Sequence, residues 1–435
     1  MGSRFRARRL PQRSGEVTFA SFNSLGRAFL AGYPDIWRDA PLRRDFLVLL
    51  GGGTAQGMAI AYTAVWAAET FNLAPGGVAF MYVVSGCAGA LGNPLLGLLS
   101  DRIGWRRPFI VGQLLIASLI YSLYPFATRY EEGLALVAFA GFGVMGMTLA
   151  SVGDRVRGLP GLAPGAGLRI LATERTAWAM GIILGPALGA VLVTITDSVG
   201  PIFLTTAAIQ VAAAALAMTG PEVRGGGGPH SASGAESDWP ARRRVGLVLL
   251  VASLILLTLP AQTRNTYLPL FITQVLNEPR GAVGPAFTIN AMMAVLVMPQ
   301  MGGLAGRFGA GTVLYLGAIA GIIYTALQSM STSYATTLGN QLLIGISISL
   351  WSTASLIFLQ QLLPGRAGIA GGLYLTIFQV TPIVAGLVLG PVADRWGIPA
   401  AFSTTSMLVA ASMLLLAVAA RLLRSSANTA RFHSR

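Results

Sequence analysis

The strongest constraint in this chain is a series of twelve apolar stretches, nearly all of which contain no charged residue. Each can cross the hydrocarbon core of a bilayer, which takes about 20 residues in a helix. Backbone amides in lipid must be hydrogen-bonded within the structure, so these stretches predict helices. Their length and the missing alternation of polar and apolar residues argue against a β-barrel. The stretches lie at roughly 46–68, 77–99, 108–127, 134–153, 169–194, 200–219, 246–274, 282–305, 311–330, 336–361, 368–391 and 399–420.

Composition leads to the same fold class. Only 11% of the 435 residues are charged, and the mean hydropathy is +0.66. Soluble domains carry about 25% charged residues, and so few charges could not cover the surface of a soluble protein of 45.3 kDa. The sequence therefore excludes a soluble enzyme and predicts an all-α integral membrane protein.

The basic residues are distributed unevenly between the loops. All 30 are Arg, and the formal net charge is +14. With the N-terminus inside the cell, 25 Arg fall in cytoplasmic segments and three, Arg129, Arg280 and Arg395, fall in outer loops. Such a bias places both termini in the cytoplasm and the chain in the cell inner (plasma) membrane. The positive charge then requires no nucleic-acid partner, and the lipid bilayer is the expected partner.

A segment rich in Gly, Ser and Pro, residues 221–245, predicts a cytoplasmic linker. In the N-terminal tail, apolar residues recur every three or four positions over 19–33, which fits either an amphipathic helix on the membrane surface or a disordered tail. The predicted organisation is a tail at 1–45, a six-helix bundle at 46–220, the linker, a second six-helix bundle at 246–420 and a tail at 421–435.

The two halves repeat at an offset of 205 residues. The matched pairs include Tyr62 with Tyr267, Asn72 with Asn277, Pro94 with Pro299, Gly104 with Gly309 and Gly185 with Gly390. A parallel duplication of a six-helix unit is the organisation of the major facilitator superfamily, in which the substrate site lies between the halves near the bilayer midplane.

The loop after the second span reads GLLSDRIGWRR over 97–107 and resembles the inner-loop signature of that superfamily. The resemblance implies a latch in which Asp101 pairs with an Arg of a neighbouring helix or loop and breaks as the halves rock. A solvated loop that only sets the topology is the alternative. The second-half copy has Gly306 where Asp101 stands, so we expect an asymmetric latch. The latch residues would be Gly97, Asp101, Arg102, Gly104, Arg106, Arg107 and Arg366.

Residues 181–189 place Gly181, Gly185, Pro186 and Gly189 on a small-residue face of the fifth span, which resembles a signature in span five of many export-direction members of the superfamily. Ordinary packing of membrane helices through Gly is the alternative. A motif of the second half narrows the family. Residues 360–368 read QQLLPGRAG and resemble the bacterial sugar efflux transporters. The chain departs from that family where an acid two residues before Pro299 is replaced by Val297. No acid occurs between Glu278 and Asp394, so the substrate and the coupling ion stay open.

Polar groups inside spans are candidates for the transport pathway, because charges in lipid are costly unless they are paired or face water. Arg264 lies in the polar run QTRNTY at 262–267, which is typical of a water-filled pathway. The alternative is that the Arg264 side chain extends towards the outer membrane surface. Aromatic residues can stack on sugar rings, although Trp and Tyr also anchor helices at interfaces. The candidate substrate-binding residues are Tyr62, Trp66, Arg264, Asn265, Tyr267, Asn340, Gln341 and Trp351.

Glu174 is the only acid well inside a span, and Arg175 follows it. If transport is coupled to protons, these two residues are the expected coupling site, with Glu174 as the carrier. Facilitated diffusion, coupling to another ion and a purely structural ion pair are the alternatives.

The sequence does not fit an enzyme. His230 and His433 lie in the linker and the tail, Cys87 is the single cysteine, and no phosphate-binding loop is present. We therefore expect no metal site, no cofactor and no drive by ATP. The function we expect is secondary transport of a small solute by a monomer through rocker-switch alternating access, most simply sugar or glycoside efflux by an antiporter. The alternatives are an exporter of drugs or amphipathic metabolites, and a transport-inactive receptor or assembly protein on the same fold.

Overall fold

The computed structural model describes residues 33–105, 107–142, 166–220, 241–362 and 367–432. The regular elements of these residues are helices. They are α1 Tyr33–Arg38, α2 Ala40–Phe71, α3 Pro75–Ile103, α4 Arg107–Leu123, α5 Tyr130–Phe142, α6 Ala166–Thr196, α7 Gly200–Met218, α8 Ala241–Leu270, α9 Val283–Val297, α10 Met301–Phe308, α11 Ala310–Ser329, α12 Tyr334–Leu362, α13 Ala367–Trp396 and α14 Ile398–Phe432.

Within the described residues, eleven segments are long and apolar enough to span a membrane. They correspond to predicted spans one to three and five to twelve. The predicted fourth span begins with α5 and continues past residue 142, outside the described residues. Most of the predicted linker, and the predicted amphipathic segment up to residue 32, also lie outside them. The all-α membrane fold with two six-helix bundles is confirmed.

Several helices extend beyond the predicted spans. α2 begins at Ala40, where Asp39 caps the helix by accepting a hydrogen bond from the Leu42 amide at 3.0 Å. α14 contains 35 residues, or about 52 Å of helix, so it continues through most of the predicted C-terminal tail. The eighth span is interrupted by a 3-10 turn, Met298–Gln300, between α9 and α10. Pro299 lies in this turn and cannot donate the amide hydrogen bond of a regular helix.

The internal repeat is visible in the backbone. Asn72 and Asn277 both adopt positive φ, 49° and 55°, at the ends of matched helices. Gly104 and Gly309, also 205 residues apart, have φ of 72° and 84°. We call the end of the bundle with the loops at 72–74, 197–199 and 276–282 the Arg280 end. The opposite end, with the turns at Gly104 and Gly309, is the Arg107 end.

Glycines allow α2 and α6 to pack at very short range. A Cβ on Gly181 would overlap the carbonyl oxygen of Leu50, and one on Gly185 would overlap that of Thr54. On the opposing helix, a Cβ on Gly53 would overlap the carbonyl oxygen of Trp178. Lipid supplies no hydrophobic force between apolar helices, so close van der Waals contact of this kind holds them together.

The buried apolar residues divide unequally between the two ends. One cluster, which we call the shared core, contains residues of both halves near the Arg280 end: Tyr62, Trp66, Val78 and Met81 with Tyr267, Phe271, Ala286 and Phe402. Towards the Arg107 end the clusters are separate. Phe46, Leu49 and Ala177 pack within the first half, whereas Leu254, Val313 and Val409 pack within the second. Among the described residues, the halves therefore share a buried apolar core at the Arg280 end only.

Replacing Gly185 by Ala should destabilise the folded protein by about 1–3 kcal/mol, because the added methyl group meets backbone atoms of α2 that cannot move aside. Thermal unfolding of the purified protein in detergent measures this change. Gly112→Ala is the matched control, since a Cβ at this helical glycine of α4 meets nothing within 4 Å. Equal unfolding temperatures for the two variants would contradict the proposed packing.

Candidate functional site

The two halves meet along two helix pairs, and α3 with α13 forms the first. Gly86 lies against the carbonyl oxygen of Gln379, and a Cβ added to Gly86 would be 3.0 Å from that oxygen. One turn further, Gly89 accommodates the side chain of Gln379. Nearer the Arg280 end, Gly386 packs directly on Val83. Small residues on both helices thus close this seam tightly.

The second seam joins α6 to α9. Gly284 lies against the carbonyl oxygen of Pro186, where any Cβ would overlap that atom. One turn along α9, the hydroxyl of Thr288 donates a hydrogen bond to the carbonyl oxygen of Ile183 at 3.3 Å. Between the two seams, the hydroxyl of Tyr82 on α3 reaches the carbonyl oxygen of Asn265 on α8 at 3.4 Å.

Charged groups close the Arg280 end. Arg280 of the second half donates from Nε to Glu69 Oε1 at 2.7 Å and from Nη1 to Asp197 Oδ1 at 3.1 Å. The same Nη1 also reaches the carbonyl oxygen of Asp197 at 3.0 Å. In addition, Asp394 of α13 accepts a hydrogen bond from the Gly76 amide at the start of α3, at 2.6 Å. Both contacts link the first half to the second.

Three of the helices that form the two seams, α3, α9 and α13, expose large apolar side chains nearer the Arg107 end. Leu91 and Leu95 of α3 are 67% and 59% exposed, and Leu375 of α13 is 65% exposed. On α9, Met292 and Leu296 are also exposed. Each of these residues lies nearer the Arg107 end than the seam contacts of its own helix. Among the described residues, the contacts between the halves are therefore concentrated towards the Arg280 end, and we call the region between the halves on the Arg107 side the cleft.

Three of the predicted substrate-binding residues form one cluster. Arg264 donates from Nε to Gln341 Oε1 at 3.2 Å and from Nη1 to Asn265 Oδ1 at 3.0 Å. Its guanidinium carbon lies 3.9 Å from the centroid of the Phe287 ring, which is a cation–π contact. Gln341 is held in place because its amide donates to the carbonyl oxygen of Thr337 at 3.1 Å. The cluster joins α8, α9 and α12 within the second half.

The structure separates the other predicted residues of the second half from this cluster. Asn340 donates to Ser331 at 2.9 Å and to Gln328 at 3.4 Å, which ties the start of α12 to the end of α11. Trp351 is ten residues from Gln341 on α12, which is about 15 Å along the helix. It packs in the second-half core, 5.6 Å from Phe378 between ring centroids. Tyr267 is fully buried in the shared core.

Tyr62 and Trp66 lie in the shared core. The Tyr62 hydroxyl is 3.0 Å from the position of a Cβ on Gly284, so this side chain reaches across the α6–α9 seam. Trp66 donates from its indole nitrogen to the carbonyl oxygen of Tyr124 at 3.2 Å, and its ring packs tilted against that of Tyr124 and edge-on against that of Phe203. Trp66 therefore has a packing role in the first half in this conformation.

The first half contains a cavity of about 130 Å³ between α2, α3, α4 and α5. Its polar lining comes from hydroxyl groups, and its walls are aromatic and aliphatic. We call it the tyrosine-lined cavity; its hydroxyl-bearing residues are Thr63, Tyr82, Ser85, Tyr121 and Tyr124. Tyr82 is also the residue that contacts Asn265 of the second half, so this cavity borders the seam between the halves.

Glu174 and Arg175 point in different directions. Glu174 is fully buried, whereas Arg175 is exposed. Ile170, Glu174 and Ala177 share one face of α6, and the two apolar members of this face pack against Phe46 and Leu49 of α2. Glu174 therefore faces the interior of the first half.

The profile of the Major Facilitator Superfamily matches residues 45–386, which is most of the chain and includes both halves. The chain belongs to the major facilitator superfamily. It is accordingly a multi-pass membrane transporter of a small solute, with lipid as its surroundings, and not an enzyme.

Two sugar efflux transporters are similar to this chain at 26% and 30% sequence identity. Sugar efflux transporter A of Dickeya chrysanthemi is 26% identical over 382 residues, which covers 85% of this chain and 92% of that protein. Sugar efflux transporter B of Salmonella typhimurium is 30% identical over 181 residues. That second match spans 41% of this chain and less than half, 45%, of the relative.

Two solved structures share the fold. A mutant form of the nucleoside transporter NupG has a TM-score of 0.74 at 15% identity, covering 88% of this chain and all of that one. A bacterial homologue of the lysosomal transporter Spinster, in an inward-facing and occupied conformation, has a TM-score of 0.61 at 13% identity, covering 89% of this chain and 96% of the other.

The superfamily loop at 97–107 is only partly within the described residues. Gly104 has the positive φ that its place in the motif requires, and a Cβ there would meet nothing within 4 Å. Arg102 is exposed, and Arg107 donates to the carbonyl oxygen of Met218 at the end of α7. The surroundings of Gly97 and of the Asp101 side chain are not described, and Arg106 and Arg366 lie outside the described residues. The latch therefore stays a prediction.

Sequence reasoning missed two sets of residues. Glu69 in the last turn of α2, Asp197 after α6 and Arg280 before α9 are far apart in the sequence, and only their placement together in space reveals an ion-pair group. Asn290 and Gln379 are neutral amides in cleft helices, and Asn290 Nδ2 is buried with no hydrogen-bond partner among the described residues. A search for isolated amides in apolar spans would have found both, because an unpaired buried amide is costly.

Replacing Arg280 by Gln should loosen the Arg280 end. The ion pairs are partly exposed, so their loss costs about 1 kcal/mol and shifts the open population of this end about fivefold. A cysteine at Val83, which is 7% exposed under the α3–α13 seam, reports this opening through its labelling rate with a membrane-impermeant maleimide. Cys87→Ala removes the background thiol.

Glu131→Gln is the matched control, because Glu131 is an exposed acid of the first turn of α5 at the same end. We expect it to leave the labelling rate unchanged. Equal rates in the Arg280 variant and the parent would show that the ion pairs do not hold the end closed.

Proposed function

We propose that the protein exports a sugar or glycoside by alternating access, with the two halves rocking about the substrate. The supporting observation is the division of the apolar core: it is shared between the halves at the Arg280 end and separate at the Arg107 end. Two bodies whose described cores are joined at one end can close a cleft at the other by a rigid rotation, as transporters built from repeated halves do.

The Arg bias assigns the Arg107 end to the cytoplasm and the Arg280 end to the outside. In this orientation the conformation described here is open inwards, both termini are cytoplasmic, and the protein resides in the inner membrane. Labelling of a cysteine at position 230 in the Cys87→Ala background tests the orientation. Reagent added outside intact cells should leave this cysteine unmodified, and modification there would reverse the topology.

The sugar assignment is supported by the surfaces along the seam. The tyrosine-lined cavity offers aromatic faces and hydroxyl groups, and the Arg264 cluster offers amide groups; both suit a polyhydroxylated ring. The relatives named as sugar efflux transporters support the same class of substrate. We expect the functional unit to be a monomer, because each chain contains both halves of the cleft.

Counterflow in proteoliposomes tests this function. Vesicles containing the purified protein and unlabelled methyl glucoside or lactose should accumulate the labelled sugar transiently, whereas protein-free vesicles should not. Asp101→Asn is a matched variant that keeps length and removes one charge of the proposed latch, and we expect it to slow counterflow about tenfold. Counterflow of hydrophobic cationic dyes but not of sugars would favour a drug exporter, and none for either class would favour a transport-inactive protein.

We further propose that protons drive export through Glu174, the fully buried carboxyl group of α6. Glu174→Gln should abolish accumulation driven by a pH gradient and preserve counterflow, since exchange of labelled for unlabelled substrate needs no proton transfer. Uphill transport by this variant would assign coupling to another group. Transport by the parent protein that is independent of pH would instead indicate a facilitator.

A further inference from the structure

Arg264 is a buried cation with neutral partners. Only 5% of its surface is exposed, and among the described residues its hydrogen bonds go to the side-chain oxygens of Gln341 and Asn265. The Phe287 ring covers one face of the guanidinium. No described carboxylate pairs with it, and the sequence has no acid between Glu278 and Asp394 that could do so from the later helices. A guanidinium carries five N–H donors, so two neutral acceptors leave capacity for a further ligand.

The internal repeat shows that this charge is a feature of one half. At the offset of 205 residues, Arg264 corresponds to Ala59, Phe287 to Tyr82 and Gln341 to Leu136. Ala59 and Tyr82 line the tyrosine-lined cavity of the first half. The space that Arg264 fills in the second half is therefore matched by an uncharged cavity in the first.

Two further polar groups belong to α11 and α9, which pack against α12 of the cluster. The buried hydroxyl of Tyr324 lies close enough to the cluster to interact with Arg264 and with the Gln341 side chain. Asn290 Nδ2, one helical turn from Phe287 on α9, has no hydrogen-bond partner among the described residues. Both groups can donate hydrogen bonds. A buried guanidinium whose N–H groups are not all bonded can stabilise an anion through charge-assisted hydrogen bonds.

We propose that the Arg264–Asn265–Gln341 cluster binds an acidic group of the transported solute, a carboxylate or a phosphate. This inference rests on the proposed function and narrows it from sugars in general to acidic sugar derivatives. Oxygens of the acid take the place of the Asn265 and Gln341 amide oxygens, and the sugar ring lies towards the seam.

The position of the cluster links binding to the opening of the cleft. Asn265 is the residue whose carbonyl oxygen contacts Tyr82 of the first half. Separation of the halves at the Arg280 end breaks this contact and opens the region beside Arg264 towards the Arg280 side of the membrane. An acid held there is then released without crossing the apolar core.

Binding to the purified full-length protein tests the proposal with three matched solutes: methyl glucoside, glucuronate and glucose 6-phosphate. Affinities are measured from ligand-dependent unfolding temperatures at constant ionic strength. We expect at least one of the acids to bind ten times more tightly than the neutral glucoside. The two acids separate a carboxylate site from a phosphate site. Equal affinities for the acids and the glucoside would overturn the proposal.

Arg264→Gln should weaken binding of the preferred acid at least tenfold and weaken that of the neutral glucoside by a smaller factor, so that the preference for the acid is lost. Arg264→Lys, which keeps the charge, should retain part of the preference and shows that loss is not caused by misfolding. Arg242→Gln removes one exposed positive charge near the start of α8 and should have no effect. Retention of the acid preference in Arg264→Gln would also overturn the proposal.

The outcomes distinguish this inference from the function on which it rests. Counterflow of methyl glucoside by the parent, together with equal affinities for the acids and the glucoside, supports sugar transport and rejects the acid site. Acid binding that depends on Arg264, without counterflow of any sugar, supports the site and rejects sugar transport.

Discussion

Close contact between helices at glycine is the interaction on which the rest of this structure depends. Apolar helices gain little by leaving lipid for each other, so they must fit closely to hold together. Gly181 and Gly185 allow α6 to touch the backbone of α2 inside the first half. Gly284 and Gly386 provide the same closeness between the halves at the Arg280 end. Because few hydrogen bonds of the described residues cross these seams, the halves can also part.

A repeated scaffold carries chemistry that is not repeated. The turns at Asn72 and Asn277 have the same backbone form, and Tyr62 and Tyr267 are both fully buried. By contrast, Arg264 corresponds to Ala59, and the gate residue Arg280 corresponds to Pro75. The second half thus supplies the positive charges of both the candidate binding cluster and the closed end. The first half supplies the acids that pair with Arg280, Glu69 and Asp197, and it also contains the tyrosine-lined cavity, which is uncharged.

The sequence predicts those features that depend on local pattern. Hydropathy locates the spans, and the 205-residue offset identifies the repeat together with the turn at Gly104. Helix geometry alone could have separated Trp351 from Gln341, since ten residues extend about 15 Å. The charge of Arg264 marks it as a candidate, but its direction depends on contacts with α9 and α12, which no local pattern encodes.

Other features depend on distant segments or on continuation beyond the bilayer. In the Arg280 group, Arg280 pairs with acids that lie 83 and 211 residues away in the chain. Charge in a loop predicts topology but not such a partner. α14 continues to Phe432 because a helix whose backbone is already hydrogen-bonded can extend past the membrane surface, and hydropathy reports only where the apolar part ends.

The central claim is that the two ends of the cleft open in alternation. Distances between paired spin labels, measured by double electron–electron resonance in Cys87→Ala protein, test it most directly. One pair at Phe126 and Met330 reports the Arg280 end, and a second at Trp105 and Phe308 reports the Arg107 end; all four side chains are exposed. In Arg280→Gln, the account predicts a new longer distance for the first pair together with a new shorter distance for the second. Distances that lengthen at both ends, or that do not change at either, would contradict it.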